Sequence, residues 1–225
     1  MAITCSRHLP ETVARTAARE NSVDVAISPR QLAALRQRLE GRGKIVNDPD
    51  QIRESTAPFA GVVLGVDPSL RGTGWGVVRF GRPQHQALAF GTIRCPARWE
   101  RSRCLLHILQ TLRDVTRQYG AGVCAIEGLF FAQNIQTALI MGEARGAALA
   151  AIAESGVPIF EIAPRKVKQA VVGFGGAQKS AVAKMVQRML NLPAVPDADA
   201  ADALALALTY LQESGRHALA SPKRI

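Results

Sequence analysis

Two carboxylates sit where apolar runs stop abruptly, and two more lie three residues apart in a helix-forming stretch. Asp67 ends the run Gly61–Val66 and is followed by Pro68, Ser69 and a glycine-rich turn through Gly72 and Gly74. Glu127 ends the run Val123–Ile126. Asp199 and Asp202 belong to ADAADALALAL, and a spacing of three puts both on one helical face. A single acid at a strand end serves equally well to open a tight turn. Its recurrence is what points to chemistry, because the rim of a sheet is where ligands bind. Asp197 is assigned to the helix terminus, where an acid complements the dipole, and stays outside the site. Asp202 lies deeper, among Ala and Leu, where a carboxylate is expected to be paired or protonated.

Four such groups brought together would repel one another unless divalent cations lay between them. Oxygen ligands without His or Cys favour magnesium, with manganese as a substitute. Two ions about 3.5–4 Å apart activate a water on one side of a phosphodiester and stabilise the leaving oxygen on the other. The rest of the chain is basic, with a formal charge of +10 and a pI near 10.2, which favours a polyanionic partner. An acidic pocket on a basic chain reads as phosphodiester hydrolysis on nucleic acid.

Composition excludes several other classes. Hydrophobic residues make up 48% and charged residues 20% of 225, ordinary for a soluble globular chain. The four cysteines show no CxxC spacing and the four histidines are scattered, which argues against zinc and for a reducing, cytoplasmic setting. No apolar run approaches a membrane span, and the first residues lack the apolar region of a signal peptide.

The elements that must position these acids follow from pattern. Strands are expected over about 61–67, 74–80, 86–94, 122–127 and 157–162, and helices over about 99–118, 133–153, 178–190 and 198–213, with a short helix from Pro164. Three strands joined by short turns make an antiparallel meander, and the last two are reached through helices and so run parallel. The expected fold is α/β: a mixed five-stranded sheet flanked by helices. Residues 1–57 carry nine basic and seven acidic residues and one short amphipathic helix, Ser28–Glu40. They read as a loosely attached, partly disordered extension to a domain over 58–215, with a basic C-terminal tail over 216–225.

Lys168 and Lys179 flank the glycine break Gly173–Gly176, an arrangement open either to solvated surface lysines or to point charges on a phosphate. A nucleotide P-loop is excluded, since Gln178 precedes Lys179 and a helix precedes the loop. Phe130 and Phe131 follow Glu127 directly; one suits the core and the other could stack on an unpaired base. Arg145 could reach either a nucleic-acid backbone or a partner subunit.

At these residues the chain resembles the RuvC family of crossover junction endodeoxyribonucleases. The resemblance is carried by GVDPSLRGTGWG (65–76), AIEGLFFAQN (125–134), GEARG (142–146) and DAADALA (199–205), in order over about residues 60–212. It implies a ribonuclease-H-like fold and a homodimer that nicks opposed strands of a four-way (Holliday) junction symmetrically during recombination and repair. It also implies a site of Asp67, Glu127, Asp199 and Asp202 holding magnesium ions, two per site. Lys168 and Lys179 would lie near the scissile phosphate and Phe130 at the junction centre. The RuvA–RuvB branch-migration complex would be a partner. Glu143 departs from the family pattern, which has glutamine there.

Two other classes compete with this one. A binding module that recognises branched DNA without cutting it would be expected to have lost a carboxylate, and all four are present. An actin-like or sugar-kinase ATPase also begins with a strand ending in an acid, but needs a duplicated domain for which this chain has no room. The small-residue helix Ala138–Ala153 suits close packing against a symmetry mate.

Overall fold

The computed structural model describes residues 61–128, 134–214 and 222–225. The expected extension over 1–57 and the Phe130–Phe131 pair lie outside the described residues. Strands β1 (Val62–Asp67), β2 (Gly72–Arg79) and β3 (Gln86–Arg94) form an antiparallel meander. Helix α1 (Arg101–Tyr119) leads to β4 (Val123–Glu127), and α2 (Ile135–Ala153) leads to β5 (Ile159–Ile162). Then α3 (Pro164–Val172), α4 (Lys179–Met189) and α5 (Ala198–Ser214) follow, and a two-residue strand β6 (Lys223–Arg224).

The sheet order is β3-β2-β1-β4-β5-β6, with β4 parallel to β1 and β5 parallel to β4. This is the expected mixed α/β sheet with one correction: it has six strands, not five. β6 pairs antiparallel with β5 through Phe160 and Glu161, so part of the expected C-terminal tail joins the sheet. Two exposed basic residues have no apolar alternation, and their pairing uses backbone groups alone.

Alternation along the strands separates two cores. Leu64, Val66, Cys124 and Ile126 face α1 and α2, packing with Ile108, Leu112, Ala148 and Ile152. Val63, Val123 and Ala125 face the opposite side, where Val182, Val186, Leu204 and Leu208 pack on them from α4 and α5. Burying a leucine fully contributes about 1.5–3 kcal/mol, so the two apolar layers hold the sheet between them.

Helix α5 lies against the strands because they carry glycine beneath it. A Cβ on Gly65 would fall 1.9 Å from the Ala203 carbonyl oxygen, and one on Gly74 would fall 2.0 Å from that of Asp199. Gly65 pairs with Gly76, and Gly74 with Asp67, so these positions share one face of the sheet. That close approach sets the height of the α5 acids above the end of β1.

Candidate active site

Strand parity decides where the first two acids point. Asp67 is two residues beyond Gly65, and Glu127 two beyond Ala125, so both carboxylates extend toward the α5 side. The parallel register of Val66 with Ile126 places Asp67 and Glu127 side by side at the ends of neighbouring strands. The turn after Asp67 is closed by Thr73, a fully buried residue whose hydroxyl donates to the Ser69 carbonyl at 2.6 Å and accepts from the Ser69 amide at 3.1 Å. The β4–β5 ladder continues one bond past Glu127, from the Gly128 amide to the Ile162 carbonyl at 3.0 Å.

The acids feel one another strongly. Burial, then the charge of Glu127, a hydrogen bond shared with the Glu127 carboxylate and the charge of Asp202 raise the Asp67 pKa from 3.8 to about 8. The nearby Lys179 ammonium partly opposes this. Lys179 itself donates to Asp202 Oδ2 at 2.7 Å; that bond raises its pKa, with the charges of Asp202, Asp67 and Glu127 adding and burial opposing. Asp67, Glu127, Asp202 and Lys179 therefore form one electrostatic group. The Asp199 carboxylate lies over the start of β2, its Oδ2 2.8 Å from where a Gly72 Cβ would be. Among the described residues no three acidic, His or Cys side chains converge into a ready-made cation cage. The Lys179 ammonium brings positive charge to the Asp202 carboxylate.

The sequence profile described as crossover junction endodeoxyribonuclease RuvC matches residues 63–210. The chain belongs to the RuvC family. The RuvC of Klebsiella pneumoniae (strain MGH 78578) is 43% identical over 164 residues, spanning 73% of this chain and 94% of that one. The RuvC of Akkermansia muciniphila is 42% identical over 149 residues, 66% of this chain and 89% of that one. A solved structure of T. thermophilus RuvC in complex with Holliday junction substrate superposes with a TM-score of 0.67 at 32% identity, covering 73% of this chain and 99% of that chain. The fold is the ribonuclease-H-like fold of the RuvC proteins.

The remaining candidates are placed as follows. Lys168 is half-buried on α3, and Phe130 lies outside the described residues. Arg145, expected at a DNA backbone or partner subunit, turns inward instead. It is only 8% exposed and donates to the Glu127 carbonyl and to Glu161 Oε2. A buried cation needs such partners, and here it ties α2 to the ends of β4 and β5. Glu143, the departure from the RuvC pattern, accepts from Arg101 at 3.1 Å, a pair linking α2 to α1. Asp197 gives its carbonyl to the Ala201 amide at the start of α5, while its carboxylate pairs with Arg94 at 2.6 Å. Sequence reasoning passed over Glu161 and Thr73 because neither belongs to an acidic or basic cluster.

Proposed function

We propose that this RuvC-family chain is a divalent-metal-dependent endonuclease that resolves four-way DNA junctions by paired symmetric nicks, acting as a homodimer. The observation that carries this reading is that Asp67 and Glu127, at the ends of the central strands β1 and β4, interact strongly with each other and with Asp202 of α5, with Lys179 as the cation beside them. The donor set is all carboxylate oxygen, which fits magnesium or manganese. Asp67, Glu127, Asp199 and Asp202 would hold the ions, two per site. Bound there, the metal would supply Lewis acidity at the scissile phosphate and lower the pKa of the attacking water.

The protein's own groups do the rest. To serve as a ligand Asp67 would need to be deprotonated, and Asp202 would share its carboxylate with Lys179. Lys179, with 67% of its side chain exposed, is free to swing its ammonium onto a phosphate oxygen without leaving the site. Lys168 adds positive charge along the strand's path, and Phe130 stacks at the junction centre. Water attacks phosphorus in line and the 3′ oxygen leaves, giving 5′-phosphate and 3′-hydroxyl ends. Residues 58–215 form the nuclease domain in this reading, and no role falls to residues 1–57. No helix among the described residues is long and apolar enough to cross a membrane. In this reading the enzyme is cytoplasmic and works with the RuvA–RuvB complex.

Purified protein incubated with a synthetic four-way junction and with linear duplex, with and without magnesium, tests the proposal. Paired nicks in the junction alone, and only with metal, are expected. Equal cutting of linear duplex, or full activity in a chelator, would contradict it. Sedimentation showing one chain per junction would remove the dimer.

A further inference from the structure

Phe174 is the most exposed aromatic residue among those described, at 68%. It lies in the turn between α3 and α4, and the turn holds it in place. A Cβ on Gly176 would fall 2.8 Å from the Phe174 Cε1 and Cζ atoms, so the far edge of the ring rests on glycine backbone. A Cβ on Gly175 would fall 2.8 Å from Arg165 Cγ and 3.2 Å from its Nε, which puts the arginine stem against the next residue of the same turn. The Phe174 carbonyl accepts from the Ala177 amide at 3.1 Å, closing the turn just before α4. Lys179, the first residue of α4, reaches Asp202 in the carboxylate group.

One short segment thus joins an anchored, open aromatic ring to a guanidinium and to an ammonium at the site of cleavage. Neither neighbour is apolar, so the ring has no core to complete. Cations flanking an exposed aromatic suit a single nucleic-acid strand, whose phosphates meet the charges while a base stacks on the ring. We infer that Phe174 is a base-stacking contact for the cleaved strand, holding a nucleobase next to the phosphate that Lys179 approaches. This inference rests on the junction-nuclease reading and adds a substrate contact to it.

The test uses the full chain and four-way junctions carrying 2-aminopurine at each base flanking the cleaved phosphate. Fluorescence is read on binding in chelator, and kcat and KM are read with magnesium. Wild type is compared with Phe174→Ala, Phe174→Leu and Phe174→Trp, with thermal unfolding of each as a control on folding. One 2-aminopurine position should be quenched by wild type and by Phe174→Trp. Phe174→Ala and Phe174→Leu should both lose that quenching and raise KM about tenfold, with unfolding unchanged. If leucine performs as well as phenylalanine, or no position is quenched, stacking is wrong while junction cleavage stands. If wild type cleaves no four-way junction at all, the underlying reading fails and this inference falls with it.

Discussion

Lys179 Nζ and Asp202 Oδ2 lie 2.7 Å apart, with the lysine side chain 67% and the aspartate 20% exposed. The pair belongs to the carboxylate group, where the lysine feels the charges of Asp67 and Glu127 as well as Asp202. It has two roles that a substitution can separate: it offsets the acids, and it offers a cation to a phosphate.

Replacing Lys179 with Met is expected to lower kcat on a four-way junction about 10²-fold, comparable to losing one charge-stabilising donor. The same change leaves the acids less compensated, so the magnesium concentration giving half-maximal activity should fall. A magnesium titration of both proteins reads the two effects together.

The metal-free protein should lose stability as pH rises from about 4 to about 8. Asp67 has a folded pKa of about 8 against its ordinary 3.8, so the folded state binds the extra proton in that window. Its contribution is fully present below the lower value and lost on passing the upper one. Thermal unfolding in chelator should show this slope, Asp67→Asn should flatten it, and the stabilisation conferred by magnesium should grow with pH as the cation displaces the proton.

Gly74→Ala should destabilise the fold by about 3 kcal/mol, the upper range for overpacking a close contact. Its new methyl would lie 2.0 Å from the Asp199 carbonyl oxygen, and relief requires α5 to retreat from β2. Because α5 carries Asp199 and Asp202, activity should fall further than the loss of folded protein explains. Comparing kcat with urea unfolding at low temperature separates the two.

Arg145→Met should cost about 3 kcal/mol, because it strands a carboxylate and a carbonyl at the base of the site. Glu161 retains 28% side-chain exposure, which keeps the loss near the lower end of the range for a broken buried pair. The double variant Arg145→Met, Glu161→Leu removes both charges and should recover part of the loss in urea unfolding.

The strands that carry Asp67 and Glu127 were legible because apolar runs that stop at an acid are a local signal. So was the helix that carries Asp199 and Asp202, through its helix-forming composition. The start of β2 was not. Gly72 and Gly74 look like a turn, and only the helix lying on them explains glycine inside a strand. The inward contacts of Arg145 were not legible for a related reason: its partners lie 16 and 18 residues away in sequence, and a cation on an alanine-rich helix gives no sign of facing inward. The Lys179–Asp202 pair spans 23 residues and depends on how α4 and α5 pack, which no local pattern encodes.

The most direct measurement is nicking and binding of a four-way junction by Asp67→Asn. The account predicts that the variant folds, binds the junction with near wild-type affinity and makes no paired nicks at any magnesium concentration. Wild-type nicking by Asp67→Asn would contradict the claim that these carboxylates form the catalytic centre.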